Sequence, residues 1–167
     1  NIILGLADIP ALDERYIGYE KKSYKIINGK KTNLKVKNNK EISESILNTT
    51  SPYLFANKND QSSFERLSKR VKLIRLGGDC YSYCLLADGH VDIVVESGLN
   101  PWDIRALEPI ITNAGGILKT WDNKNILNGG RIIACSNSKI FNKCIAILNK
   151  KNPVSYTHLT LPTKWIV

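Results

Sequence analysis

The segment from Asn100 to Gly116 constrains the fold most, because it carries both a start signal and a stop signal for a helix. Asparagine is a good helix cap, and Pro101 fits the first helical position. From Trp102 onward, apolar residues recur at helical spacing, which predicts one buried face with Trp102 in the core. The segment ends in two glycines, which supply the left-handed residue that stops a helix. We therefore predict one continuous helix here, with Asp103 in its first turn.

The acidic residue Asp103 has two interpretations on local grounds. A carboxylate in the first turn lies near the positive end of the helix dipole, so helix capping alone explains it. A carboxylate also supplies the hard oxygen ligands that Mg2+ takes in proteins. Both interpretations place the side chain at the mouth of the helix, and they leave its role open.

A second stretch with candidate ligand-binding residues precedes this helix. It begins Arg75-Leu76-Gly77-Gly78-Asp79-Cys80-Tyr81, continues as a short apolar helix and then a strand, and ends at Glu96. Asp79 opens the short helix, so it is either a helix cap or a carboxylate that faces a pocket. Glu96 is either an exposed acid at the end of a strand or a residue that binds a ligand.

Together these motifs resemble the inositol monophosphatase family, whose members are Mg2+-dependent, Li+-sensitive phosphomonoesterases. Trp-Asp, an apolar helix and Ala-Gly-Gly are similar to the second signature of that family. The resemblance implies that Asp103 is a metal ligand and that Glu96, seven residues earlier, contacts the substrate. It also implies that Gly77, Gly78 and Asp79 line the substrate pocket.

The form Gly-Gly-Asp-Cys-Tyr at 77–81 is similar to the histidinol-phosphate phosphatase branch of the family, as are the segments 8–18 and 49–52. Inositol-specific members carry small residues at the position of Asp79. Histidinol phosphate has an ammonium and an imidazole, for which a carboxylate is an apt partner. The resemblance thus implies hydrolysis of histidinol phosphate to histidinol and phosphate, in histidine biosynthesis. An inositol-1-monophosphatase or a related sugar or nucleotide phosphatase is the alternative.

The resemblance covers residues 1–150 and implies a layered α-β-α-β-α sandwich, represented by its C-terminal part. The first signature of the family, Asp-Pro-x-Asp-Gly-Thr, and its upstream Glu-Glu pair do not occur in the sequence. We therefore expect most metal ligands in a preceding part of a longer enzyme, no catalytic residue in this part, and an inactive fragment. A non-catalytic fragment that contributes at best to a dimer interface is the alternative from another class. Residues 151–167 depart from the family pattern, and we expect a disordered or artefactual tail.

The order of the remaining patterns predicts an α/β protein, because strand-like and helix-like segments alternate. A turn at Asn28-Gly29 indicates a hairpin. Strands are predicted at 2–8, 13–19, 22–28, 34–37, 46–50, 72–75, 91–96, 116–121 and 131–135, and further helices at 60–71, 79–87 and 138–148.

The formal net charge of +9 comes largely from lysines, many of which lie at 21–40. This segment lacks interleaved aromatic residues that could stack on bases, so we expect no nucleic-acid partner. A solvated lysine-rich hairpin explains the charge, with attraction of anionic substrates as the alternative. No apolar run reaches the length of about 18 residues that spans a membrane, so no membrane partner is expected.

The four cysteines, Cys80, Cys84, Cys135 and Cys144, form no Cys-x-x-Cys pair and have no histidine at zinc-binding spacing. We expect buried, reduced thiols in a cytoplasmic protein. The expected cofactor is Mg2+. The expected partners are a small phosphorylated substrate, either histidinol phosphate or inositol phosphate, and a second copy of the chain in a possible homodimer.

Overall fold

The structure is a computed structural model that describes residues 2–55 and 57–150. These residues form two sheets and five α-helices. Numbered in chain order, the strands are β1 (Leu4–Ile9), β2 (Glu14–Tyr19), β3 (Lys22–Ile27), β4 (Lys30–Asn33), β5 (Ile46–Thr49), β6 (Leu73–Leu76), β7 (Ile93–Leu99), β8 (Ile117–Thr120) and β9 (Gly130–Cys135). The helices are α1 (Lys58–Ser68), α2 (Cys80–Ala87), α3 (Pro101–Ile104), α4 (Leu107–Asn113) and α5 (Ser138–Leu148).

The first sheet is an antiparallel meander of β1, β2, β3 and β4 in that order. Asn28 and Gly29 have φ of 48° and 71°, as a tight hairpin turn between β3 and β4 requires. The predicted turn is confirmed, but the strand predicted at 34–37 is wrong. Since Ile27 pairs with Lys30, the returning strand starts immediately after the turn. Strand β4 is exposed throughout, as the predicted lysine-rich hairpin requires.

The second sheet has the strand order β6-β5-β7-β9-β8. Strands β5, β6 and β7 run parallel to one another, and β9 is antiparallel to both β7 and β8. Three parallel strands therefore end at the same edge of this sheet. Such an edge, where loops diverge from strand ends, is where α/β proteins generally bind ligands.

Helices α2 and α4 lie between the two sheets, and α1 and α5 cover the other face of the second sheet. Each interlayer space has its own apolar core, and Trp121 is the largest fully buried side chain of the outer one. Helix α4 approaches β2 so closely that a Cβ on Gly18 would lie 2.3 Å from the carbonyl carbon of Pro109. The expected layered α/β sandwich is confirmed, with four layers in the described residues.

The continuous helix predicted after Asn100 is wrong in one respect, because the structure breaks it into α3 and α4. Pro109 has no N–H to donate to the carbonyl of Arg105, and its ring crowds that carbonyl. Trp102 is 78% exposed instead of lying in the core, because the buried face of this segment runs through Ile104, Leu107 and Ile111. The predicted stop is confirmed, since Gly115 follows α4 with φ of 95°.

The remaining expectations from the sequence concern the end of α1, the cysteines, the last residues and membrane spans. Helix α1 ends at Ser68, short of the predicted end at residue 71. All four cysteines are free thiols, but Cys80 is exposed, not buried as expected. The expectation for 151–167 lies outside the described residues. Within the described part of the chain, no helix is long and apolar enough to cross a membrane.

Candidate active site

The candidate site lies where β5, β6 and β7 end. Thr50 follows β5, the loop 77–79 follows β6, and Glu96 stands near the end of β7. An irregularity in the pairing of β7 with β9 between Glu96 and Leu99 redirects the chain toward α3, which carries Asp103. The predicted site residues therefore come from three consecutive strand ends and the helix that follows.

Glu96 is buried, with 2% of its surface exposed, so the interpretation as an exposed strand-end acid is wrong. Its Oε1 accepts hydrogen bonds from the backbone N–H of Thr50 at 2.7 Å and from the Thr50 hydroxyl at 2.9 Å. Its Oε2 lies 3.4 Å from the hydroxyl of Thr49. Burial raises the pKa of Glu96 above its ordinary value, and the hydrogen bonds from the threonines oppose this shift.

The glycine loop is held against the end of β5. The N–H of Gly77 lies 3.1 Å from the carbonyl oxygen of Thr49 and 3.0 Å from that of Thr50. The hydroxyl of Ser82 in α2 donates to the carbonyl of Gly77 at 3.0 Å. A Cβ on Gly78 would lie 2.6 Å from this hydroxyl oxygen, and the φ of 97° at Gly78 also favours glycine. The two glycines thus let the loop pack beside the threonines that bind Glu96.

Asp79 stands at the N-cap position of α2, but its side chain makes no capping hydrogen bond. The capping interpretation of this carboxylate is therefore wrong. The side chain is exposed, and the backbone has φ of 46°, a conformation that non-glycine residues seldom adopt. The negative charge of Asp79 contributes to the raised pKa of Glu96, so the two carboxylates lie within electrostatic reach of each other.

Asp103 does have a capping role, because its Oδ2 accepts a hydrogen bond from the backbone N–H of Asn100 at 2.7 Å. This closes a capping box at the start of α3. The carboxylate is nevertheless exposed, so capping does not bury it. The capping interpretation is confirmed, and it leaves an accessible oxygen atom on the same side chain.

Tyr83, in α2, is a buried residue that the sequence patterns did not mark. Its side chain is 3% exposed, and burial raises its pKa well above the ordinary value. The negative charges of Glu96, Asp79 and Asp103 raise this pKa further. The pKa of this one buried phenol therefore responds to all three predicted acidic residues.

A second buried acid, Asp60, contacts the residue that follows Glu96. The hydroxyl of Ser97, next to Glu96, donates to Oδ2 of Asp60 in α1 at 2.8 Å. The other oxygen of Asp60 accepts from Arg131 in β9 at 3.3 Å. Asp60 is 3% exposed, and this pairing with a cation and a hydroxyl satisfies its buried charge. Its partners are distant in sequence, so no local spacing could have indicated the contact.

With this geometry established, the comparison with known families is decisive. The model of the inositol monophosphatase family matches residues 1–152. The chain belongs to the inositol monophosphatase family.

The chain is similar over most of its length to proteins and solved structures of this family. The chain is 42% identical over 125 residues to "Bifunctional phosphatase IMPL2, chloroplastic" of Arabidopsis thaliana, covering 75% of the chain and 35% of that protein. It is 29% identical to a histidinol-phosphatase of Mycobacterium tuberculosis, covering 87% and 56% respectively. The structure of an inositol monophosphatase from Zymomonas mobilis has a TM-score of 0.80 at 33% identity, covering 87% and 57%. The chain thus spans about a third to just over half the length of these proteins.

Family members are generally Mg2+-dependent, so the described residues can be tested as magnesium ligands. Asp103 fits, because it offers an exposed carboxylate oxygen of the hard type that Mg2+ prefers. Glu96 fits less well, because its side chain is 2% exposed and its Oε1 already accepts two hydrogen bonds from Thr50. Residues 2–55 and 57–150 contain no group of three or more acidic, histidine or cysteine side chains that could hold a metal. These residues therefore fit one corner of a magnesium site and not a complete one.

Proposed function

We propose that the full-length protein that carries this chain is a Mg2+-dependent phosphomonoesterase that hydrolyses histidinol phosphate to histidinol and phosphate. Membership of the family supports the reaction class. The observation that carries the choice of substrate is the exposed, uncapped carboxylate of Asp79 beside buried Glu96. A relative described as a histidinol-phosphatase, at 29% identity, agrees with this choice.

Asp79 is the residue that would select a cationic substrate. Its carboxylate makes no capping bond with its own helix, so both oxygens can accept from a bound ligand. The ammonium of histidinol phosphate is a donor that inositol phosphate lacks. A charge-assisted hydrogen bond between ammonium and carboxylate is about twice as strong as a neutral one. This contact would therefore favour histidinol phosphate over a substrate that offers only hydroxyl groups.

Glu96 would orient the organic part of the substrate, because hydrogen bonds to both of its oxygens fix its carboxylate. The threonines supply three hydrogen bonds and leave the carboxylate one orientation at the end of β7. A pre-oriented acceptor loses little freedom on binding, so more of its interaction energy contributes to affinity. In this role Glu96 binds the substrate and does not transfer a proton.

Asp103 would supply one magnesium ligand. When bound, Mg2+ neutralises charge on phosphoryl oxygens and lowers the pKa of a coordinated water. The capping bond from Asn100 fixes one carboxylate oxygen and thereby orients the other away from the start of the helix. Because residues 2–55 and 57–150 provide no complete metal site, the proposal concerns the full-length protein.

The deciding experiment compares phosphate release from histidinol phosphate and from inositol 1-phosphate by the full-length protein with Mg2+. We expect kcat/KM to be at least about tenfold higher for histidinol phosphate, the ratio that one extra charged contact provides. A preference for inositol 1-phosphate would support the alternative, which matches relatives described as inositol monophosphatases. If phosphate is released from neither substrate, the proposal is wrong and the alternative of a non-catalytic protein is favoured. The 167-residue chain serves as the control and is expected to release no phosphate.

A further inference from the structure

The side-chain oxygen of Asn48 is buried without a partner. Asn48 lies in β5, and 5% of its surface is exposed. Its Nδ2 donates to the hydroxyl oxygen of Ser82 in α2 at 3.1 Å, but among the described residues its Oδ1 has no hydrogen-bond partner. A buried amide oxygen without a donor costs free energy, because it has given up its bonds to water. A bound ligand that carries a donor would remove this cost.

The hydrogen bonds of Ser82 fix which end of the Asn48 amide lacks a partner. The single hydroxyl proton of Ser82 is donated to the carbonyl oxygen of Gly77 at 3.0 Å. Ser82 can therefore only accept from Asn48, so the NH2 group of the amide must face it. The atom without a partner is thus the oxygen, which requires a donor.

Asn48 lines a cavity of about 330 Å3 that residues of β5, β6 and α2 enclose. Most of its wall is apolar, formed by Ile46, Leu76, Leu85 and Val91. The polar side chains of the wall are those of Asn48, Arg75 and His90. A single water occupies about 30 Å3, so the space exceeds what one bridging water needs. A mostly apolar wall with a few polar groups is typical of a site for a small molecule.

Arg75 places a positive charge beside the unpartnered oxygen. Asn48 and Arg75 are paired in register across β5 and β6, so their side chains leave the sheet on the same face. The guanidinium of Arg75 makes no hydrogen bond or ion pair with a described residue. His90 already contacts the carboxylate of Asp88 at 3.2 Å, so Arg75 is the group of this wall that can take an anion. The cavity therefore offers one acceptor and one cation to the same ligand.

The cavity is distinct from the carboxylates of the candidate active site. None of Asp79, Glu96 and Asp103 is among the described residues that line it. The two places meet at the glycine loop, because Gly77 and Gly78 line the cavity and Asp79 follows them. A ligand held here would contact the loop without contacting the predicted site acids.

We propose that this cavity binds an α-amino acid with an apolar side chain. The planar carboxylate of the amino acid pairs with the guanidinium of Arg75, a geometry that suits two parallel hydrogen bonds. Its ammonium donates to Oδ1 of Asn48, and its side chain contacts Leu85 and Val91. The inference does not rest on the proposed function, since it concerns binding and not turnover.

Calorimetric titration of the full-length protein tests this with three compounds of similar shape. L-leucine carries both polar groups, 4-methylpentanoate lacks the ammonium, and 3-methylbutylamine lacks the carboxylate. We expect L-leucine to bind and each analogue to bind at least about tenfold more weakly, because each loses one charge-assisted contact. If L-leucine does not bind at millimolar concentration, or if the three compounds bind equally, the inference is overturned.

Arg75→Gln locates the binding, because it removes the cation from an exposed side chain. It should weaken the affinity for L-leucine at least about tenfold. Arg70→Gln is the matched control, since Arg70 is also exposed and is not among the described residues that line this cavity. It should change the affinity by less than about twofold. Equal affinities of the two variants would contradict the role of Arg75.

Asn48→Leu tests the acceptor with a side chain of similar size. It should weaken the binding of L-leucine and leave that of 4-methylpentanoate unchanged, since only L-leucine has the ammonium. The thermal unfolding midpoint shows whether this variant folds, and if it does not, the comparison of the compounds on Arg75→Gln decides. On that variant L-leucine should lose its advantage over 3-methylbutylamine, and an undiminished advantage would overturn the inference.

Asp79→Asn distinguishes this cavity from the candidate active site. The affinity for L-leucine should not change, because Asp79 is not among the described residues of the wall. A loss in Asp79→Asn without a loss in Arg75→Gln would place the amino acid at the site acids and overturn the inference. Neither result depends on which phosphate ester the enzyme hydrolyses.

Discussion

Glu96 and Thr50 join the ends of two parallel strands, because both the N–H and the hydroxyl of Thr50 donate to Oε1 of Glu96. One residue thereby supplies two of the three hydrogen bonds to a carboxylate that is 2% exposed. The contact fixes the orientation of the acid and the separation of the two strand ends. It is also the point at which the stability of the fold and the geometry of the candidate site depend on the same atoms.

Replacing Thr50 with valine tests this contact with little change of shape. Thr50→Val removes the bond of 2.9 Å from the hydroxyl while the backbone bond remains. We expect a loss of about 1–3 kcal/mol in the free energy of unfolding at pH 7, because a buried carboxylate loses a donor. Urea denaturation of the 167-residue chain measures it. Thr112→Val, which removes an exposed hydroxyl bonded to the carbonyl of Glu108, is the control and should cost less. Equal losses would contradict the account.

Glu96→Gln tests the protonation of the buried acid. Burial raises the pKa of Glu96, so the folded chain binds its proton more tightly than the unfolded chain. Ionised Glu96 therefore opposes folding, and this part of the stability is lost as pH rises through the raised pKa. The glutamine variant should be more stable than the wild type at pH 7, and the difference should shrink below about pH 4, where the acid is protonated in both states. Unfolding curves across this pH range would contradict the account if the difference stayed constant.

Gly18→Ala tests the contact between the first sheet and α4. A Cβ at this position would lie 2.3 Å from the backbone of Pro109, which cannot yield without moving the helix. We expect a loss of about 3 kcal/mol in the free energy of unfolding. Gly29→Ala is the control, because a Cβ there meets no atom within 4 Å and only the positive φ is unfavourable. It should cost about 1 kcal/mol. Equal stability of the two variants would contradict the close packing of α4 against β2 at Gly18.

Asp103→Asn tests the proposed magnesium ligand in the full-length enzyme. Asparagine keeps an oxygen that can accept from the N–H of Asn100, so the capping bond and the fold should persist. The loss of charge should lower kcat by a factor on the order of 100 or more, because the metal loses an anionic ligand. Steady-state phosphate release at several Mg2+ concentrations measures this. Glu108→Gln, which removes an acid from the first turn of α4, should leave turnover unchanged. Near-normal turnover in Asp103→Asn would rule out the ligand role.

The sequence could predict features that local chemistry determines. The hairpin turn at Asn28-Gly29 and the helix stop at Gly115 depend on residues that tolerate positive φ, and both occur as predicted. The family motifs led to Glu96, at the end of β7, Asp79, in the loop after β6, and Asp103, in α3.

The features that local patterns missed depend on contacts between distant residues or on one overlooked proline. Pro109 breaks the helix that apolar spacing alone had extended, and the buried face runs through Ile104 and Leu107 and leaves Trp102 exposed. The bonds between Glu96 and Thr50 join positions 46 residues apart, which no periodicity can show. Among the described residues the Tyr83 hydroxyl has no hydrogen-bond partner, and this could not be predicted either, since it depends on how the core packs.

The selectivity of Asp79→Asn tests the central claim most directly. Asparagine tolerates the backbone φ of 46° and removes only the charge. The measurement is kcat/KM of the full-length wild type and variant on histidinol phosphate and inositol 1-phosphate. The account predicts a loss of at least about tenfold on histidinol phosphate and little change on inositol 1-phosphate, because only the first substrate carries an ammonium. Equal losses on the two substrates, or no loss on either, would contradict it.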